Sequence, residues 1–270
     1  MHLKFGRIIH LSKFLRLKKF LFAIVLLTLS VTAFSKPPEY YYLKVYHLSS
    51  DTQQARLDSF LKDAFVPALH RAGIAKVGVF KKRPDPKDSI MLTYVFFPCA
   101  SLNAAAAIEQ KVAGDAKYLA SGKNYIETAY NNLPYARIET ILLSSFPGTS
   151  FTSPKLTGPR TERVYELRSY ESASEKILDN KIKMFTAGGE TAIFNGLGFN
   201  AVFYGKVVAG SRMPNLMYLT TFENQAERDK HWSAFGSDPA WKKLSAEAQY
   251  QNNVSHIDMY MLYPADYSDF

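Results

Sequence analysis

A repeat inside the chain constrains its fold more than any other feature. Tyr42-Leu43-Lys44-Val45-Tyr46 aligns with Glu166-Leu167-Arg168-Ser169-Tyr170 at an offset of 124. Gly73 and Lys81 fall opposite Gly198 and Lys206 at 125, Met91 and Phe96 opposite Met217 and Phe222 at 126, and Asp115 and Tyr118 opposite Asp238 and Trp241 at 123. Near the end, Arg137-Ile138-Glu139 pairs with His256-Ile257-Asp258 at 119. Drifts this small are what loop insertions leave behind, so the chain holds two copies of one unit and is not a solenoid.

Each copy reads strand, helix, strand, strand, helix, strand. The clearest segment is 213–244, MPNLMYLTTFENQAERDKHWSAFGSDPAWKKL. Within it, 215–222 is rich in Met, Tyr, Leu and Thr with no internal Gly, as a buried strand is. Asn224 and Glu227 have the spacing of a capping box. Trp232 and Phe235 share one helix face, and Asp238-Pro239 restarts the helix with an N-cap acid and a Pro at the first helical position. By the same criteria the first copy has strands near 40–47, 74–81, 89–97 and 138–144, with helices over 51–71 and 101–120. The second has strands near 163–171, 199–208, 215–222 and 254–263, with helices over 174–195 and 225–235 and an extension at 239–248. This is the βαββαβ order of a ferredoxin-like unit. The expected class is α+β, two such units in tandem packed as an intramolecular dimeric α+β barrel. The expected organisation is a signal peptide over 1–35, a first unit over 36–146, a Pro-, Gly-, Ser- and Thr-rich linker over 147–161 and a second unit over 162–270.

The leader carries Lys4, Arg7, Lys13, Arg16, Lys18 and Lys19, no acid, and an apolar run over 20–34 that is short for a membrane span. Ala33 and Ser35 stand where signal peptidase needs small residues for a cut before Lys36. The alternatives are an uncleaved anchor and a mitochondrial transit peptide. Six of the 33 Lys and Arg lie in this leader, which leaves 27 against 24 Asp and Glu. So small an excess gives no support to a nucleic-acid partner, whose binding needs a clustered basic face. Cys99 is the only cysteine, so no internal disulfide can form and stability rests on the core.

The segment MPNLMYLTTFEN followed by HWSAF and DPAW, with 165–170 (YELRSY) upstream and Val202-Phe203-Tyr204-Gly205 between, is similar to the NIPSNAP family over residues 163–263. The resemblance implies membership of the dimeric α+β barrel superfamily, which hosts oxygenases, haem-handling proteins and binding proteins. It implies no shared catalytic residue.

Alternation along the strands sorts the side chains by face. Tyr165, Leu167 and Ser169 oppose Glu166, Arg168 and Tyr170, and Tyr41, Leu43 and Val45 oppose Tyr42, Lys44 and Tyr46. With helices on the Leu face, the other face turns into the barrel. Glu166, Arg168, Tyr170, Tyr42, Lys44 and Tyr46 are then the candidate ligand-binding residues, a guanidinium clamping a carboxylate and a Tyr donating to it. The bland alternative is that Glu166 and Arg168 pair with each other, or with Lys44, and only set the packing of the sheets. Glu139 and Asp258 compete as inward partners for Lys44.

His231 is the one candidate catalytic residue, as a general base or an axial haem ligand. Its alternative is a half-exposed helix residue beside Trp232. No Cys or His grouping has metal-ligand spacing, and Gly188-Gly189 does not fit a dinucleotide fingerprint. His47, His70 and His256 are scattered along the chain. The expected function is an exported NIPSNAP-type module that binds a small apolar or anionic ligand without a cofactor. The alternative is a cofactor-free oxygenase or haem-handling enzyme. Expected partners are the ligand and a second copy in a homodimer, with no nucleic acid and a membrane only through the leader. The expected location is periplasmic or secreted.

Overall fold

The computed structural model describes residues 37–86 and 88–270, and Pro38–Phe270 form one compact unit. The expected signal peptide over 1–35 and its cut lie outside the described residues. Among the described residues no helix is long and apolar enough to cross a membrane.

The first half contains β1 (Tyr40–Leu48), α1 (Asp51–Phe60), a π-helical turn (Leu61–Phe65), α2 (Val66–Arg71), β2 (Gly78–Lys82), β3 (Met91–Cys99), α3 (Leu102–Ala113), α4 (Ala116–Ser121), α5 (Lys123–Ile126) and β4 (Arg137–Ser145). The second contains β5 (Val164–Glu171), α6 (Glu175–Phe185), α7 (Glu190–Gly196), β6 (Asn200–Ala209), β7 (Asn215–Phe222), α8 (Gln225–Ser237), α9 (Pro239–Ser245) and β8 (His256–Pro264). The helix starts recur at the offset of the repeat. Ser50 and Ser174 cap α1 and α6, Ser101 and Asn224 cap α3 and α8, and Asp115 and Asp238 cap α4 and α9. In each case a side-chain oxygen takes one of the amide hydrogens that the first helical turn leaves without a partner. Among the described residues the Asn224 arm of the expected capping box forms, and the Glu227 carboxylate lies 3.4 Å from Lys230.

All eight strands pair antiparallel in one closed barrel, in the order β1-β3-β2-β8-β5-β7-β6-β4. The halves therefore join edge to edge: the second strand of each copy pairs with the closing strand of the other, β2 with β8 and β6 with β4. Sheet-on-sheet packing was the expected contact, and hydrogen-bonded edges replace it. Ring closure satisfies edge N–H and C=O groups that would otherwise face solvent.

The barrel interior holds the Leu-bearing face of each half. Tyr41, Leu43, Val45, Phe80, Phe96, Leu143, Tyr165, Leu167, Phe203 and Leu219 form a single buried cluster there. Phe96 of the first half stacks on Phe203 of the second with centroids 4.7 Å apart and planes 10° apart. Gly205 faces the same interior, where an added Cβ would stand 3.0 Å from that of Leu143. Phe151, from the segment between the halves, and Phe270 close one end of the barrel against Phe96.

This inverts the expected facing. Tyr42 and Tyr46 pack under the helices of the first half, and Tyr170 packs under those of the second. The physical reason is the cost of a cation in a closed apolar ring with no acid or water to meet it. On the outer face Lys44 and Arg168 reach past the sheet to carboxylates and keep 13% and 16% of their side chains exposed.

Candidate functional site

The six residues expected between the sheets fall into two groups beneath different helices. Lys44 Nζ lies 2.6 Å from Glu109 on α3, and Tyr42 Oη donates to the same carboxylate at 2.5 Å. Tyr46 is buried against Tyr135. In the second half, Glu166 is fully buried and accepts from Arg168 Nε at 2.6 Å, from Arg228 at 2.8 and 3.1 Å and from Trp232 Nε1 at 2.7 Å. Arg168 stacks 3.8 Å from the centroid of the Trp232 ring and donates to Tyr170 Oη, which in turn bonds Tyr218 Oη at 2.8 Å. The arrangement is saturated. Both carboxylate oxygens are used, so Glu166 meets its charge requirement without a ligand.

His231 sits on α8 with Nδ1 2.6 Å from the Glu227 carbonyl oxygen, its ring between Phe199 and Phe222. Its Nε2 lies 3.4 Å from where a Cβ on Gly198 would stand. Nδ1 is engaged, Nε2 stands beside Gly198, and Phe199 and Phe222 flank the ring, an enclosed setting that does not fit an axial haem position.

The polar groups that converge lie instead at the barrel end opposite Phe151 and Phe270. There His47 ends β1, Glu139 begins β4, Ser169 and Glu171 end β5, Asn215 begins β7 and Asp258 begins β8. The cross-strand register brings them level: Val45 faces Glu139, Ser169 faces Asp258 and Glu171 faces His256. The β6–β7 turn lies across this mouth. Its Ser211 donates to Glu139 at 2.5 Å, and Arg212, held at φ 62°, pairs with Glu171 at 3.4 Å and with Asp258. A left-handed backbone at a non-glycine residue is costly, and here it is offset by two ion pairs.

Behind this turn lies a cavity of about 80 Å³ whose walls include Val45, Leu92, Ile141 and Met217 with Tyr94 and Tyr260. Asn215, 2% exposed, lines it and gives one end of its carboxamide to Ser169 Oγ at 3.0 Å. The other end, the carbonyl oxygen, has no hydrogen-bond partner among the described residues. Most buried polar atoms are satisfied, so this oxygen is a free acceptor for a donor, whether a water or a bound molecule. His47 Nε2 contacts Glu139, and the pair borders the cavity. Burial works against the charged form of Glu139, but hydrogen bonds from Ser211 and His47 outweigh it and hold the carboxyl below its usual range. Burial pushes the Tyr94 and Tyr260 hydroxyls above theirs, so both remain donors at neutral pH. The mouth therefore combines an acid-backed imidazole, two phenols, a guanidinium and an unused carbonyl on an apolar wall.

The sequence offered Glu139 and Asp258 as competing inward partners for Lys44, and both line the mouth, but neither meets Lys44. Their partners are His47, Ser211, Arg212 and His256. The repeat carried the missing signal. Glu139 and Asp258 are equivalent positions, and so are His47 and Glu171 at the offset of 124, which makes the mouth a quasi-symmetric ring of four ionisable side chains.

Residues 165–269 match the NIPSNAP family model. Among solved structures, a protein provisionally named a monooxygenase from Fusobacterium nucleatum aligns at 10% identity over 84% of this chain and 93% of its own, with a TM-score of 0.55. Another, provisionally named in the same way, from Lactobacillus acidophilus aligns at 11% identity over 84% and 94%, with a TM-score of 0.53. A NIPSNAP family protein of unknown function from Agrobacterium tumefaciens aligns at 16% identity over 42% of this chain and 98% of its own, with a TM-score of 0.36. No curated protein matches the chain. At these identities the two monooxygenase-named neighbours show the fold, a dimeric α+β barrel closed within one chain. The half that carries Glu166, Trp232 and Asp258 is the part of the chain that is similar to the NIPSNAP family.

Proposed function

We propose that the protein is an exported small-ligand binding module whose ligand enters the barrel at the mouth closed by Ser211 and Arg212. The observation that carries this reading is the Asn215 carbonyl oxygen, buried without a partner in a cavity of about 80 Å³. The ligand class is a compact amphipathic molecule. Its donor meets Asn215, its apolar part lies on Ile141 and Met217, and a carboxylate, where it has one, meets Arg212. Mass spectrometry of material released on denaturing the purified full chain tests this: a small ligand should co-purify and be lost in Asn215→Leu, which removes the acceptor and fills the space. A ligand-free protein, or one whose ligand survives Asn215→Leu, overturns the reading. Sequencing the N-terminus of the protein from fractionated cells tests export, and an intact Met1 in the cytosol overturns it.

One observation favours an enzyme instead. His47 backed by Glu139 is a general base beside the cavity, suited to taking a proton from an acidic substrate before it reacts with dioxygen without a cofactor. Oxygen uptake with small phenolic substrates, abolished by His47→Gln, would establish that reading over simple binding.

A further inference from the structure

The outer side of the β2–β8 seam, away from the barrel mouth, is an open cleft of about 980 Å³. Its walls come from four places in the chain: Asp58 and Lys62 from α1 and the π-helical turn, Lys81, Arg83 and Pro84 from the end of β2 and the residues after it, Arg160 and Thr161 from the segment between the halves, and residues 263–267 at and beyond the end of β8. Neither half builds it alone. Lys62, Lys81, Arg83 and Arg160 face Asp58 and Asp266 across it.

The acids do not balance the cations. Asp58 is already committed, 2.5 Å from Lys81 Nζ and accepting from Tyr267 Oη at 2.7 Å. Among the described residues Arg160 donates to the Ala265 and Ser268 carbonyls, both at 2.9 Å, and Arg83 donates to the Arg163 carbonyl at 2.7 Å. Carbonyls orient a guanidinium without cancelling its charge. Arg83 Nε is buried with no hydrogen-bond partner among the described residues. Lys62 is exposed on the rim. With Lys81 and Asp58 cancelling, three cations face Asp266 alone among the described residues, on a floor that includes Pro84, Pro264 and Ala265.

We propose that this cleft binds an organic oxyanion, a carboxylate or phosphate group carried on a compact apolar body. Two guanidiniums fixed by backbone carbonyls present donor edges in set directions, which suits the planar or tetrahedral oxygens of such a group. Tyr263 and the prolines supply the surface for the body. This site is independent of the ligand proposed at the barrel mouth.

Titration calorimetry of the full chain with phenyl phosphate, with benzoate and with benzamide as the uncharged control tests it. The expected result is binding of at least one anion that weakens about tenfold in Lys62→Glu, weakens further in Arg83→Gln, falls with added salt and is unaffected by Asn215→Leu. The preferred anion tells phosphate from carboxylate. Lys62 is exposed, so its variant leaves the fold intact and the test stands even where Arg83→Gln unfolds. No binding of either anion, benzamide binding as tightly as benzoate, or unchanged affinity in Lys62→Glu would overturn the proposal.

Discussion

Trp232 Nε1 donates to Oε2 of Glu166 at 2.7 Å, across 66 positions of sequence. The bond ties α8 to the centre of β5, and the two guanidiniums of Arg168 and Arg228 complete the shell around the same carboxylate. A fully buried acid with this many donors fixes where the helix layer sits on the sheet, because no other placement satisfies all of them.

Removing the acid should therefore be severe. Glu166→Ala leaves Arg168 and Arg228 largely buried without their counter-charge, and breaking a buried pair in this way costs about 3–5 kcal/mol. Trp232→Phe keeps most of the ring packing but deletes the donor, for roughly 1.5–3 kcal/mol. Trp232→Ala loses both, at about 3–5 kcal/mol. Urea unfolding measures all three, and a Glu166→Ala effect under about 1 kcal/mol would show that the two cations simply turn to solvent.

Lys44 offers the contrast on the other half. Its partner Glu109 is 56% exposed, so water screens the pair. Exposed pairs contribute about 0–1 kcal/mol, and Lys44→Met should change stability by no more than that. A loss as large as that of Glu166→Ala would mean that Lys44 is structurally equivalent to Arg168, in spite of the difference in exposure.

How far these two sites were legible in the sequence depends on the level of structure. The strands, most of the helices and the caps at Ser101, Asn224 and Asp238 follow from local patterns that need no tertiary knowledge, while the caps at Ser50, Asp115 and Ser174 emerge with the structure. The facing of the strands did not, because both faces are apolar. Tyr42, Tyr46 and Tyr170 are as suited to burial as Leu43 and Val45, and a long Lys or Arg can sit on either face provided its head finds a partner. Those partners, Glu109 and Arg228, lie on helices whose rotation about their axes was not resolved by pattern alone. The mouth was hidden for a different reason. His47, Glu139, Ser211 and Asp258 come together only when the ring closes and the β6–β7 turn folds over it.

The α4 cap gives a pH signature. Asp115 accepts from Arg71 and from the Lys117 and Tyr118 amides, and the Arg71 hydrogen bond foremost holds its carboxyl down at about 2, below the usual 3.8. A carboxyl depressed in the folded state adds stability that is present above its unfolded pKa and is lost as pH falls through the folded one. Asp115→Asn keeps the cap and deletes the charge. It should melt below the parent at pH 7, and the gap should close between about pH 4 and pH 2. A gap that persists to pH 2 would assign the effect to packing.

Cys99 tests the rigidity of the first half. It is buried in the cluster beneath that half's helices, and burial pushes its thiol up to about 11. At pH 7.5 the thiolate is scarce and shielded, so disulfide exchange with an aromatic reagent should be slow in the folded chain and immediate in denaturant. Fast labelling of folded protein would show that β3 and the helices over it open readily.

The last prediction concerns the segment between the halves. Phe151 and Leu156 pack against the barrel interior, Thr152 N–H donates to the Val202 carbonyl, and the Thr157 and Gly158 amides donate to Glu223. These contacts fasten the segment, but the halves are held mainly by the two hydrogen-bonded seams and by the interior they enclose, where Phe96 meets Phe203 and Phe80 meets Tyr165 at 4.8 Å. Every 1,000 Å² of apolar surface kept from water is worth roughly 25 kcal/mol. Association costs about 4–15 kcal/mol, so an interior shared by eight strands leaves a surplus. A protease site inserted between Ser153 and Lys155 and then cut should give two fragments that elute together at the size of the intact chain and melt at a lower temperature. Each fragment alone exposes an aromatic sheet face and two open edges, so it should aggregate when expressed without the other. Two soluble, folded fragments that separate on the column would show that each half covers its own sheet, and the continuous barrel would then owe its closure to the covalent segment alone.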